Sequence, residues 1–166
     1  MVLSTHAAVG AALATFFPTH PEVAFLAGFT SHFLLDSIPH WDYHLVAWHK
    51  DPHDTTKNDL VFTRNTLVDF VKIGADVIVG FFAVWILFAS DSFGLALISL
   101  LSGAVGGMTP DALQFLYYRS GRRFLRPLQR FHNWIHAGGD LNSRPFLGIF
   151  LQLVAVVVLT IIVNNV

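Results

Sequence analysis

Three polar residues in an otherwise apolar stretch of the chain have the spacing of metal ligands. His32, Asp36 and His40 follow one another at intervals of four, so a helix would place all three along one face. Imidazole nitrogen and carboxylate oxygen together suit a borderline metal such as zinc. Burying these groups without a partner is costly. We therefore predict a metal site here; the alternative is a buried hydrogen-bonded pair of His32 and Asp36.

Other histidines and aspartates lie near the ends of separate apolar segments. His132 and His136 have the i, i+4 spacing with which one helix can bind one metal. Asp69 and Asp76 are seven residues apart and so share a helical face. The full set of predicted metal ligands is His6, His32, Asp36, His40, Asp69, Asp76, Asp111, His132 and His136, with Asp36 and Asp111 also predicted to be catalytic.

Several of these residues have an ordinary structural explanation as well. His6 follows a Ser-Thr pair that could cap a helix. Asp69 and Asp76 flank Lys72 on one helical face, where an ion pair is common. Asp111 follows a proline and could cap the next helix.

The elements that must position these residues are membrane helices. The chain of 166 residues is 54% hydrophobic and only 13% charged, which is unusual for a soluble domain and indicates a bilayer as solvent. It contains no cysteine, so disulfides and thiolate metal sites are excluded.

Apolar runs predict an all-α integral membrane bundle of about five membrane-embedded helices, some of them short, in a single domain over residues 1–166. The predicted helices are Leu3–Phe17, Glu22–Ile38, Leu67–Ala89, Phe93–Met108 and Pro145–Val163. Only the third and fifth approach the ~20 residues that a full span needs. The first two are joined by a turn with two prolines and predict a short helical hairpin.

Basic residues are distributed on one side of this arrangement. When the helices are followed back and forth, all 10 Lys and Arg residues fall on the side of the N-terminus. The positive-inside rule then predicts a multi-pass protein of the cell inner membrane with a cytoplasmic N-terminus and an outer C-terminus. The loop at 41–63 and the segment at 109–144 would lie at the cytoplasmic face, together with every predicted metal ligand.

The number of candidate ligands exceeds what one tetrahedral ion requires. Several carboxylates predict two or three zinc ions, with manganese as the other possibility, and open positions for a metal-activated water. Arg122, Arg123 and Arg126 could bind the anion of a phosphoester substrate, although a basic cluster at this place is also the ordinary topology signal.

The motifs resemble those of a known family of small bacterial inner-membrane proteins, the predicted membrane-bound metal-dependent hydrolases. The similarity is carried by Thr5-His6, Leu34-Leu35-Asp36, Thr109-Pro110-Asp111 and His132-Asn133-Trp134-Ile135-His136. It implies functional roles for His6, Asp111, His132 and His136. The chain departs from the family in its long His-rich segment at 31–44 and in the Asn-Trp-Ile between the last two histidines, where a more polar stretch is usual.

A weaker, local similarity is to zinc-dependent phospholipase C and single-strand-specific nucleases, which are helical enzymes with three zinc ions. His32-Phe33, Asp36, Pro39 and His40 are similar to their helix motif, but Leu35 stands where glycine is usual. The predicted function is hydrolysis of a phosphoester in a lipid or lipid-linked substrate, with membrane lipids as partners and no nucleic acid expected. The alternatives are a structural metal site and a metal-ion transporter.

Overall fold

The computed structural model describes residues 1–49, 51, 55–64, 66–89, 93–121, 123–136 and 141–165. The fold is all-α, with 75% of the residues helical. Its helices are α1 (Leu3–Ala14), α2 (Pro21–Asp36), α3 (Thr66–Val84), α4 (Leu95–Ser120), α5 (Arg126–Ile135) and α6 (Pro145–Asn164). One π-helical stretch, Trp85–Ala89, continues α3, and 3-10 turns lie at Thr55–Lys57 and Arg123–Leu125. Two short strands, β1 (Trp48–His49) and β2 (Asp59–Leu60), pair antiparallel.

Three helices are long and apolar enough to cross a membrane. They are α3 with its π-helical extension, at 24 residues, α4 at 26 and α6 at 20. The outward faces of α3 and α6 expose large apolar side chains, among them Phe82, Phe146 and Phe150. By contrast, α1 and α2 have 12 and 16 residues. At 1.5 Å per residue they reach only about 18 and 24 Å, less than the ~30 Å of a hydrocarbon core.

The fourth helix is longer than the sequence predicts. We expected it to end at Met108, before Thr109-Pro110, but α4 continues through Pro110 to Ser120. Proline is a strong helix breaker, yet here the turns before it pack at backbone distance against α1 and α2, through Gly103, Gly106 and Gly107. The helix ends instead at Gly121, whose φ of 58° is left-handed and whose N–H donates to Tyr117 O. Asp111 therefore lies inside α4 and does not cap a following helix.

Glycines bring α1, α2 and α4 together at backbone distance. A Cβ atom on Gly10 or Gly28 would collide with the carbonyl of Gly103 in α4, and one on Gly107 would collide with the carbonyl of His6. Such contacts require residues without side chains on the facing surfaces. Around them packs a core of small residues, which includes Ala7, Ala11, Ala24 and Ala104.

The first helix is central in the bundle. It packs against α2, α3, α4 and α6, so that its N-terminal end is surrounded by the other elements. The C-terminal end of α2 and the second half of α4 lie at this same end, and α5 covers it. The segments that carry His6, Asp36, Asp111 and His132 therefore meet in one place.

Candidate metal centre

Asp36, the last residue of α2, is the centre of a cluster of histidines. Its carboxylate is 2% exposed, and four imidazole Nε2 atoms lie close to it. The distances are 3.2 Å from His6 to Oδ1 and 3.0, 3.1 and 2.8 Å from His32, His132 and His136 to Oδ2. These histidines come from α1, α2 and α5 and from the residue that follows α5. Residues of these three segments thus converge on Asp36.

The potential ligand atoms form two groups that share Asp36. The first group has one ligand atom from each of four residues: His32, Asp36, Asp111 and His132. The second has one from each of Asp36, His40 and His136. Within each group the ligand atoms all lie within 4.8 Å of one another. Each group has the His and carboxylate donors of a transition-metal site. A carboxylate common to both groups is suited to bridge two ions.

The proton positions on two histidines leave their Nε2 atoms free to bind a metal. His32 Nδ1 lies 2.8 Å from the carbonyl oxygen of Gly107, and His40 Nδ1 lies 2.7 Å from that of Ile38. Since a carbonyl oxygen only accepts, each Nδ1 must carry the proton and donate it. In the neutral ring, Nε2 then presents a lone pair toward Asp36. A backbone carbonyl that fixes the tautomer in this way is the usual outer support of a histidine ligand.

Hydrogen bonds alone do not satisfy this cluster. Asp36 Oδ2 is approached by the Nε2 atoms of three histidines, whereas one carboxylate oxygen has two lone pairs. Two of those nitrogens, on His32 and His132, lie only 3.2 Å from each other. Among the described residues, His6 has no hydrogen-bond partner on either ring nitrogen, although it is fully buried. A cation between the carboxylates and the nitrogens of His32 and His132 would satisfy the atoms of the first group, whereas His6 belongs to neither group of candidate ligands among the described residues.

His40 and His132 lie outside α1, α2, α3, α4 and α6, and each has a shifted pKa. Burial, together with the positive charge of the amino terminus, lowers the pKa of His40 to about 4. Burial also lowers the pKa of His132 below its ordinary value, against the opposing effect of Asp36. Both rings are therefore expected to be neutral at pH 7, which is the form that binds a metal.

The cluster is accessible from one side. The side chains of Asp111 and His136 are 26% and 32% exposed, whereas those of His6, His32, His132 and Asp36 are at most 2% exposed. A molecule from outside would therefore reach the centre past Asp111 and His136. An open side is typical of catalytic metal sites and not of closed structural ones.

The structure does not bring Asp69 and Asp76 into the cluster. Asp76 accepts hydrogen bonds from the backbone N–H groups of Leu3 and Ser4, at 2.6 and 3.2 Å, and so caps the start of α1 from a neighbouring helix. Asp69 accepts one from the N–H of Ala47 at 2.7 Å and lies 3.8 Å from Lys72 Nζ. Each carboxylate thus has a structural partner, and neither belongs to a group of candidate ligands among the described residues.

The predicted substrate-binding arginines are not in the cluster either. Arg122 lies outside the described residues. Arg123 and Arg126 are exposed, and within the described part of the chain neither makes a hydrogen bond or an ion pair with a member of the cluster.

Sequence reasoning missed two groups that contact this region. Gln152, on α6, is 3% exposed; its Oε1 accepts from the Val2 N–H and the Thr5 hydroxyl, and its Nε2 donates to the carbonyl of Trp41. The signal for it was present, because it is the single amide within the most apolar run of the chain. The amino group of Met1 lies 3.1 Å from Asp36 Oδ1, which no spacing pattern indicates.

Comparison with known proteins adds no relative. No family model matches this chain, and no match was found among curated proteins or solved structures. The case for a function therefore depends on the geometry of the cluster.

Proposed function

We propose that this protein is a membrane-embedded, metal-dependent hydrolase that cleaves a phosphoester of a lipid or lipid-linked substrate. The observation that carries the proposal is the position of Asp36 between two groups of donors, one of which is completed by Asp111 on the accessible side. Zinc is the ion that this His and Asp donor set suits best, with manganese as the alternative.

The residues of the chain have distinct roles in this proposal. Asp36 bridges the two groups, while His32 and His40 are held in the binding tautomer by their backbone carbonyls. Asp111 and His136 lie where the substrate phosphate arrives. Metal ions bound here would activate water and stabilise the charge that develops on the phosphate oxygens.

An amphiphilic substrate is favoured by the depth of the cluster along the helices. Asp111 lies nine residues before the end of α4, which at 1.5 Å per residue is about 13 Å. Gln152, which contacts the same end of α1, is seven residues into α6, or about 10 Å. A soluble substrate would have to enter the apolar part of the bundle, whereas a lipid is already held beside the bundle by its acyl chains.

The orientation in the membrane is proposed from the distribution of charge. The cluster is at the end of the bundle where the Lys and Arg residues lie, so we place this end, the N-terminus and the loop at 41–63 in the cytoplasm. The C-terminus follows α6 to the other side.

The test is metal content combined with metal-dependent turnover. Protein purified in detergent without chelators is expected to contain about two transition-metal ions per chain, measured by elemental analysis. In vesicles it should release phosphate or a headgroup from an amphiphilic phosphoester, lose that activity with chelator and regain it with added zinc or manganese. Protein that contains no stoichiometric metal would contradict the proposal.

A structural metal site is the second candidate. It is favoured by the observation that the cluster joins α1, α2, α4 and α5, of which α1 and α5 are short. In that case, chelation would lower the unfolding temperature, and no phosphoester in a broad screen would be turned over by the metal-loaded protein.

A further inference from the structure

Helix α5 has two faces of different character. Its inner face carries the buried residues Gln129 and His132. Its outer face and the preceding turn expose large apolar side chains: Phe124 and Trp134 are both 70% exposed and Phe131 is 44% exposed. Aromatic residues exposed to this degree mark a surface that contacts something other than bulk water.

Arginines border the aromatic residues on the same side. At about 100° per residue, Arg126 and Arg130 lie next to Trp134 around the helix, and His132 lies on the opposite side. Arg123, in the turn before α5, is exposed as well. Between residues 112 and 139 the sequence contains no Asp or Glu, so this surface is purely basic. Among the described residues, no ion pair involves Arg123, Arg126 or Arg130.

The connections of α5 fix it at the membrane surface. Helix α5 begins six residues after the end of α4, and α6 begins ten residues after the end of α5. Both α4 and α6 are long enough to span the bilayer. A helix tied so closely to two spans on the same side cannot move far from the headgroup layer.

We infer that the outer face of α5 lies in the headgroup layer of the bilayer that holds the chain, where Arg123, Arg126 and Arg130 bind anionic lipid headgroups. Trp134 and Phe131 lie at the boundary between headgroups and acyl chains, the usual position of aromatic residues in membrane proteins. The arginines then bind lipid phosphate and not the substrate in the metal centre. This inference requires only that the protein is in a membrane, and it stands or falls independently of hydrolysis.

The position of α5 can be measured by single-site labelling, because the chain has no cysteine of its own. We would attach a spin label at Trp134→Cys and, as references, at Asp59→Cys in β2 and Phe150→Cys on the outward face of α6. The three proteins are reconstituted in phosphatidylcholine vesicles with 30% phosphatidylglycerol. We expect access of a water-soluble nickel complex to be highest at 59, at least about threefold lower at 134 and lowest at 150. Equal access at 134 and 59 would overturn the inference.

Lipid selectivity tests the arginines. The measured quantity is the ratio of bound spin-labelled phosphatidylglycerol to bound spin-labelled phosphatidylcholine. We expect this ratio to be at least about threefold lower in the triple variant Arg123→Gln, Arg126→Gln, Arg130→Gln than in the wild type. In the wild type, added salt should lower it. Lys57→Gln, an exposed lysine in the 3-10 turn Thr55–Lys57, which does not adjoin a candidate span, is the control and should leave the ratio unchanged. A wild type without preference for the anionic lipid, or with a preference insensitive to salt, would overturn the proposed binding even if the triple variant does not fold.

Discussion

At the scale of single residues, spacing predicted the centre of the cluster but not its limits. His32, Asp36, His132 and His136 are found together because i, i+4 spacing on a helix fixes a shared face. Asp69 and Asp76 have an equally good helical spacing, yet each has a backbone N–H as its partner. Periodicity shows which residues share a face, but only the packing of helices shows what that face contacts.

Replacing one histidine ligand of the first group should remove metal. His32→Ala deletes a buried Nε2 that lies 3.0 Å from Asp36 and that belongs only to the first group of ligands. Since even loss of an outer partner of a ligand costs ten- to a hundredfold in affinity, bound metal should fall from about two ions per chain to about one. His20→Ala is the control, because the His20 side chain is 62% exposed and pairs with Glu22 and not with a residue of the cluster. Elemental analysis after dialysis would measure both, and wild-type metal content in His32→Ala would contradict the assignment.

Asp111 tests catalysis at the accessible side of the first group of ligands. Asp111→Asn keeps the side-chain volume but removes the charge on the accessible side of the cluster. We expect the rate of metal-dependent phosphoester hydrolysis to fall by at least ~10²-fold, as for the loss of a positioned electrostatic group, with the helical content retained in circular dichroism. Asp59→Asn, an exposed carboxylate in β2, should keep full activity. Equal rates in both variants would remove Asp111 from the mechanism.

The carboxylate of Asp76 should affect stability and not metal content. Asp76→Ala leaves the first N–H groups of α1 without an acceptor, and the loss of a cap costs roughly 0.5–2 kcal/mol in the free energy of unfolding. Denaturation in detergent would measure the loss, and elemental analysis should find the metal content of the wild type. If metal disappears while the fold persists, Asp76 is a ligand after all.

At the scale of elements, apolar runs located the helices, whereas the end of α4 was predicted wrongly. Proline predicts a helix break because it lacks the backbone N–H that donates the helical hydrogen bond. Here the contacts of α4 with α1 and α2 outweigh the free energy lost with that bond. The same contacts explain why Asp111 faces the cluster. No pattern in the sequence reveals how closely two helices approach, so the fit of Gly107 against His6 appears only in the fold.

The close approach of α2 and α4 predicts a large difference between two glycine substitutions. Gly28→Ala would place a methyl group against the carbonyl of Gly103, and overpacking of this kind typically costs 1–3 kcal/mol or more. Gly74→Ala, in α3, has nothing within 4 Å and should be neutral or stabilising by up to about 1 kcal/mol. Unfolding in detergent followed by circular dichroism compares the two. Similar stabilities would mean that α2 and α4 are further apart than described here.

At the scale of the whole molecule, the helices sort polar residues to one end of an apolar bundle. α3, α4 and α6 are long enough to span the bilayer, and the short α1 and α2 bring their ligands to the end where α5 and the loops lie. Composition and the apolar runs were sufficient to predict the all-α class and helices that are long and apolar enough to cross a membrane. It was not sufficient to predict how deep the cluster lies, because that depends on where along each helix the contacts fall.

The distribution of Lys and Arg predicts which end faces the cytoplasm. Single cysteines at Ser120, at the end of α4, and at Asn164, at the end of α6, lie at opposite ends of the bundle and are both exposed. In intact cells, a membrane-impermeant thiol reagent should modify Asn164→Cys at least about tenfold faster than Ser120→Cys, and inverted membrane vesicles should reverse the order. The cysteine-free wild type controls for background labelling. Labelling of both positions from the same side would contradict the arrangement of spans, and with it the placement of the metal centre at the cytoplasmic end of the bundle.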